Sequence, residues 1–251
     1  MNNNTIVKVL IVIIMILSTI IFWKDKSISS FKNIIDVVSH RVEEKEVIRK
    51  GITYEKVIAI TFDDGPHPRF TPKVLDVLRE NNAKATFFVL GKHAEWYSKT
   101  LLQVKEEGHE IGNHSYSHVD IKKSSEEVIK SEIEKTQDII FKITGESPRL
   151  FRPPFGFYSE KLLNVLKESE YRIILWTETQ DSLDWNHPGV DNIVMKILSN
   201  AQNGDIILLH DYAEGECEAI EALEIILPEL KKRGFSFVTV SELLELDTQG
   251  D

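Results

Sequence analysis

From residue 56 onward, short runs of β-branched and aromatic residues alternate with longer stretches whose apolar residues recur at helical spacing. That alternation admits few folds. The strand candidates are 57–62, 85–90, 109–113, 149–152, 172–176, 205–209 and 235–238. Most are separated by helical patterns with legible ends. Thr71 followed by Pro72 reads as an N-cap and first helical position, Ser124 with Glu127 as a capping box, and Gly108 and Gly234 as residues just past helix ends. Strands joined through helices pair in parallel, because a parallel neighbour needs a crossover connection. The predicted class is therefore α/β, either a doubly wound sheet or a barrel. Apolar helix positions such as Val74, Leu75, Val77 and Leu78 are assigned to the core.

The chain before residue 51 is of another kind. Residues 9–23 (VLIVIIMILSTIIFW) carry no charge, and with Ile6, Val7 and a snorkelling Lys8 the stretch runs over 6–23. As a helix it measures roughly 27 Å at ~1.5 Å per residue, close to a bilayer core of ~30 Å. No small-x-small cleavage site closes it, and it ends in Phe22, Trp23 and Lys24. Residues 1–26 are read as an uncleaved signal anchor, with the amino end inside and the rest of the chain extracytoplasmic. Secretion after signal cleavage is the alternative. Residues 27–50 read as a stalk, and 51–251 as one domain.

Charge and cysteine content narrow the function. The formal charge of −10 divides into eight Lys or Arg against five Asp or Glu over 1–50, and twenty-two against thirty-five over 51–251. An acidic domain argues against a nucleic-acid partner, since such binding rests largely on neutralised phosphates. The one cysteine, Cys217, excludes an intramolecular disulfide and any multi-thiolate metal site.

Residues with chemistry to offer collect at the carboxyl ends of the predicted strands, where α/β barrels carry their sites. The first strand runs into 61–66 (TFDDGP). Adjacent carboxylates such as Asp63 and Asp64 need a cation or hydrogen bonds to remain ionised together. The third runs into 114–118 (HSYSH); on a helical turn, His114 and His118 would share one face and could share a metal. Two imidazoles and a carboxylate suit zinc with a position left open for water. Later strands end in 152–156 (RPPFG), 181–185 (DSLDW) and 208–211 (LLHD). Each has an ordinary structural explanation, such as a turn, a surface guanidinium or a core plug. All five together, in order on consecutive strand ends, do not.

These five segments resemble, in order and over about 55–245, the motifs of polysaccharide deacetylases with a NodB-homology domain, carbohydrate esterase family 4. The resemblance implies a distorted (β/α) barrel of about seven parallel strands that hydrolyses N-acetyl groups on amino-sugar polymers. It matches Asp64, His114 and His118 to metal ligands and Asp63 to the general base. His210 is matched to the general acid, Asp184 to the carboxylate that orients it, and Arg152 to the group that holds the base. The backbone N–H of Phe155 corresponds to an oxyanion donor, with Trp185 and Leu208 walling the acetyl pocket. Two departures stand out: Phe155 replaces a common tyrosine, and the path from Trp176 to Asp184 is longer than the family's.

The expected cofactor is one divalent ion, Zn2+ first, with Co2+ or Ni2+ as alternatives. The expected substrate is an extracytoplasmic N-acetylated glycan, peptidoglycan first and chitin or its oligomers second, and the expected state is a monomer. A different reading is a non-catalytic glycan-binding membrane protein on the same fold. His40, His67, His93, His109 and His187 have no assignment; His67 is expected to be solvent-exposed, with a place in the groove wall as the alternative. Asp181 and Cys217 also lack a role, and the Glu-rich helix over 125–142 reads as a solvated face.

Overall fold

The computed structural model describes residues 47–247 apart from 168, 213 and 214. The predicted anchor and most of the predicted stalk lie outside the described residues. Among the described residues, no helix is long and apolar enough to cross a membrane.

Among the described residues, eight strands and eight α-helices follow one another as β1 (Val47–Ile48), β2 (Val57–Asp63), α1 (Phe70–Glu80), β3 (Ala85–Val89), α2 (Gly91–Trp96), α3 (Ser98–Glu106), β4 (Glu110–Asn113), α4 (Glu126–Thr144), β5 (Leu150–Phe151), α5 (Glu160–Leu166), β6 (Arg172–Ile174), α6 (Val190–Asn200), β7 (Ile206–His210), α7 (Glu218–Lys232), β8 (Ser236–Phe237) and α8 (Val240–Asp247). Every predicted strand is present. The sheet order is β1-β6-β5-β4-β3-β2-β7, all neighbours parallel, with β8 pairing the first residues of β2. Between β6 and β7 the ring is joined by single contacts rather than a ladder. Thr177 N–H donates to Ile206 O at 3.0 Å, and Asp181 bridges Leu208. This is the distortion of the barrel.

Strand β1 was not foreseen. It lies in the segment read as stalk, and two residues are too few for a period to register. It nevertheless pairs with β6, and the adjoining Gly51 N–H donates to Gly204 O at 2.8 Å.

All seven residues of β2 are buried, as expected of a strand covered on both faces. Ile58, Ile60 and Phe62 pack outward among helix residues such as Val74, Leu78, Leu223 and Leu227. Val57 and Ala59 belong instead to a second cluster with Phe88, Leu150, Ile174, Ile206 and the α8 residues Val240, Leu243 and Leu244. This inner cluster fills the lower barrel. Above it the filling turns polar: Arg152, fully buried, stacks its guanidinium 4.1 Å from the Phe88 ring centroid.

Two predicted caps move. Helix α1 begins at Phe70, and His67 Nδ1 accepts from the N–H groups of Arg69 and Phe70, both at 3.2 Å. Thr71 is thus inside the helix, and its hydroxyl donates to Asp211. Helix α4 is capped by Ser125, which accepts from Val128 N–H, while the Ser124 hydroxyl donates to Asp120 O. Gly108 and Gly234 do take the left-handed conformation past helix ends (φ 76 and 88).

Candidate active site

Strand β2 delivers Asp63 to the barrel mouth with its carboxylate pointing inward, 3% exposed. Arg152 meets it there: Nη1 donates to Asp63 Oδ1 at 2.7 Å and to Thr61 Oγ1 at 2.8 Å, while Nε and Nη2 donate to the carbonyls of Ile174 and Leu175. Four bonds fix the guanidinium, so its charge is aimed rather than merely near. Burial raises the Asp63 pKa, and the Arg152 charge opposes that rise. The carboxyl is accordingly more basic than an ordinary aspartate.

Asp64, the next residue, turns away through a left-handed backbone (φ 72). Its Oδ1 is buried and has no hydrogen-bond donor among the described residues, yet it stands 3.5 Å from both His114 Nε2 and His118 Nε2. A carboxylate oxygen and two imidazole nitrogens, all within 4.8 Å of one another, form a donor set that a divalent cation would complete. The ring chemistry agrees. His114 Nδ1–H donates to Arg152 O at 2.7 Å, which leaves Nε2 as the lone-pair nitrogen, and burial pushes its pKa down to about 3, keeping the ring neutral. The residues present fit a metal.

The two rings are not brought together by a helical turn. The segment is a loop with left-handed Ser115 and His118 (φ 68 and 64), and this conformation brings the ring centroids to 5.2 Å. Its main support comes from a residue the sequence reading assigned to a solvated face. Glu132 of α4 accepts from the N–H groups of Tyr116 (2.9 Å) and Ser117 (2.7 Å) and from the Ser117 hydroxyl. A glutamate on a charged helix gives no local signal of such a role.

Strand β7 ends at His210, the register partner of Asp63 on β2. His210 Nδ1–H donates to Asp184 Oδ1 at 2.8 Å, and its backbone N–H donates to Asp184 Oδ2 at 2.7 Å. Burial pulls the imidazolium pKa down, but the Asp184 charge and hydrogen bond outweigh it, and the pKa stands at about 9. Ser182 donates to the same carboxylate at 2.8 Å. Asp181 accepts from Leu183 N–H and shapes the longer loop.

Asp63, Asp64, His114, His118, His210, Phe155, Trp185 and Leu208 all line one cavity of about 350 Å³. Leu208 is buried at its floor, whereas Phe155 and Trp185 are 55% and 60% exposed at its rim. Phe155 holds a left-handed backbone (φ 60) and packs its ring 4.5 Å from that of His118. Arg152 and Asp184 sit behind this lining, each bonded to a residue that faces it. The structure therefore brings together the residues that the resemblance matched to the site. His67 is half-buried rather than exposed, and Cys217 is buried, its thiol pushed up to about 12 by burial.

Residues 50–174 match the family model for polysaccharide deacetylase. A peptidoglycan-N-acetylglucosamine deacetylase of Bacillus cereus is 47% identical over 190 residues, covering 76% of this chain and 89% of that protein. A chitooligosaccharide deacetylase of Azorhizobium caulinodans is 38% identical, covering 71% and 90%. Among solved structures, a peptidoglycan N-acetylglucosamine deacetylase in complex with 4-naphthalen-1-yl-N-oxidanyl-benzamide superposes with a TM-score of 0.78 at 36% identity, over 81% of this chain and 95% of that one. The chain belongs to the polysaccharide deacetylase family, whose members are hydrolases of carbohydrate esterase family 4.

Proposed function

We propose that this protein removes N-acetyl groups from peptidoglycan, acting as a metal-dependent deacetylase outside the cytoplasm. One observation carries the reading: an Arg-held carboxylate and an Asp-held imidazolium flank an Asp-His-His donor set across a single cavity. An amide resists hydrolysis because water is a weak nucleophile and an amine a poor leaving group, so a base, an acid and a Lewis acid are all useful. Asp64, His114 and His118 would hold a divalent ion, zinc by the donor set and cobalt or nickel as alternatives, which when bound would lend Lewis acidity to the acetyl carbonyl and to water.

The chain's own groups divide the remaining work. Asp63 accepts the proton of the attacking water, and Arg152 keeps its reacting oxygen oriented. The Phe155 N–H donates to the oxygen on which negative charge develops. His210, protonated below about pH 9, delivers its proton to the sugar nitrogen as the C–N bond breaks. Acetate and a free amino sugar leave. Trp185 and Leu208 form walls against the acetyl methyl.

Peptidoglycan is favoured over chitin by the relative of highest identity given above and by the apolar stretch over 9–23, which would place the enzyme beside the cell wall. The intact pair of Asp63 and His210 speaks against a purely binding role. The test is acetate release by the full chain in detergent, on defined peptidoglycan fragments and on chitin oligomers of equal length. Release from peptidoglycan that is abolished by chelator and by Asp63→Asn is expected. Activity indifferent to both would overturn the mechanism, and a preference for chitin oligomers would overturn the substrate.

A further inference from the structure

The three residues of the donor set come from two loops that share no strand, so something must fix the distance between them. One short turn touches both. At the start of α2, Leu90 N–H donates to Gly65 O at 3.0 Å and His93 Nδ1–H donates to Asp64 O at 2.6 Å, which grips two consecutive carbonyls of the Asp64 loop. From the same turn, Gly91 N–H donates to Ser115 O at 2.9 Å and Lys92 N–H to Tyr116 O at 3.1 Å, which grips two consecutive carbonyls of the His114–His118 loop. Four successive residues therefore bracket both loops.

The bracket is itself rigid. His93 is 3% exposed, and its ring stacks on Tyr212 with centroids 4.4 Å apart and planes 9° from parallel. A side chain at Gly91 would place its Cβ 2.5 Å from Thr136 Oγ1 and 2.7 Å from the Tyr116 ring. Both loops depend on backbone conformations that L-residues seldom adopt, at Asp64, Ser115 and His118. Such conformations persist only where neighbours over-determine them. The Asp64 carbonyl in particular receives its one side-chain hydrogen bond among the described residues from His93.

We infer that His93 is a positioning residue for the metal: by holding the Asp64 carbonyl it sets where the Asp64 carboxylate stands relative to His114 and His118. It touches neither the reacting atoms nor the donor triangle itself, and it acts through the backbone of one ligand. Outer partners of metal ligands carry ~10- to 100-fold in affinity elsewhere. The inference concerns metal binding and does not depend on which glycan is the substrate.

The test is Zn2+ affinity of the purified full chain by competition with a chromophoric chelator, with the melting temperature of the metal-free protein recorded in parallel. His93→Phe keeps a ring against Tyr212 but removes the donor; His93→Asn places an amide N–H near the position of Nδ1. Weakening by roughly 10- to 100-fold in His93→Phe, with recovery to within about 3-fold of wild type in His93→Asn and little change in the metal-free melt, is expected. Wild-type affinity in His93→Phe, or equal losses in both variants, would overturn the inference, as would a wild-type chain that binds no Zn2+. If His93→Phe does not fold, His93→Gln serves in its place. Its longer amide reaches toward Nε2 instead, so it should bind Zn2+ more weakly than His93→Asn, and equal affinities would count against the role.

Discussion

The two ends of the barrel are built from the same strands and solve opposite problems. At the upper end, strand termini hold two buried charged groups, Arg152 and Asp63, and an orphaned carboxylate oxygen on Asp64. Left-handed backbone there falls on Asp64, Ser115, His118, Phe155, Leu183 and His187, which carry side chains, as well as on Gly156, Gly189 and Gly215. At the lower end, Val240, Leu243 and Leu244 plug an apolar interior, and left-handed turns fall on Gly108, Gly145, Gly204 and Gly234, with Asn82 the one non-glycine among the described residues. The lower end also carries a buried charge, Asp205, but surrounds it with partners. Lys50 Nζ lies 2.9 Å from Oδ1, and the Gln202 N–H and Gln180 amide donate to Oδ2 at 2.8 and 3.1 Å. Where only stability is at stake, glycine takes most of the left-handed positions and the buried carboxylate is paired with a lysine. Where a side chain must be aimed at a ligand, residues with side chains take that conformation as well, and the buried Asp64 oxygen faces two imidazoles instead of a lysine.

Substitutions at each end should separate these roles. Asp63→Asn is expected to lower kcat by ~10²- to 10⁴-fold, the range for losing a general base, with KM for the glycan little changed. A loss confined to KM would show that the upper end is a binding surface instead. Leu243→Ala, at the lower plug, is expected to cost about 3 kcal/mol of unfolding free energy through the cavity it opens, with kcat unchanged at temperatures where the protein is folded. Denaturant titration and steady-state kinetics on the same sample check both halves, and a fall in kcat would break the division between the ends.

The two ends should also differ in pH response. His210, at the upper end, has a pKa raised to about 9. Its contribution to stability is full below ~6.5 and is lost as pH rises through about 9. The acid form needed for protonating the amine disappears over the same range, so kcat should fall on an alkaline limb near pH 9. Asp184→Asn removes the largest of the charges that raise the pKa while burial remains, so the limb should move to lower pH. His109, at the lower end, is the reverse case. Its Nδ1 accepts from Ala85 N–H at 3.2 Å, and burial pushes its pKa down to about 4. The unfolded chain binds the proton first, so stability from this residue is full above ~6.5 and is lost as pH falls toward 4, by up to about 3 kcal/mol. Melting curves of His109→Phe should lose that acid sensitivity while the alkaline limb of kcat stays in place. The smallest effect is expected from Phe155→Tyr: the backbone N–H is retained, so kcat should stay within about 3-fold and any change should appear in KM. A larger change in kcat would assign the ring, rather than the backbone, a part in the chemistry.

Much of the site was legible because its residues are neighbours in sequence. Asp63 and Asp64 are adjacent, His114 and His118 are four apart, and each follows a run whose β-rich character marks a strand end. The seven strand runs were legible for the same local reason. Strand β1 was not, since Val47 and Ile48 gain their pairing only from β6, more than a hundred residues on. Glu132 and His93 were not either. Each acts through hydrogen bonds to a loop on another element, and nothing in the sequence around them distinguishes a gripping side chain from an exposed or buried one. How His114 and His118 meet was not legible, because spacing alone does not choose between a helix and a loop that brings two rings together.

Side-chain identity and order along the chain were thus enough to determine the class of fold and the donor atoms available to a metal, since these depend on covalent structure and local periodicity, while the roles of acid and base came from the resemblance of the five motifs. The tertiary structure alone decided which imidazole nitrogen faces Asp64, that Asp63 and His210 are register partners across β2 and β7, and how far each pKa moves. Desolvation, register and the long-range hydrogen bonds that hold strained loops arise only when distant segments pack together.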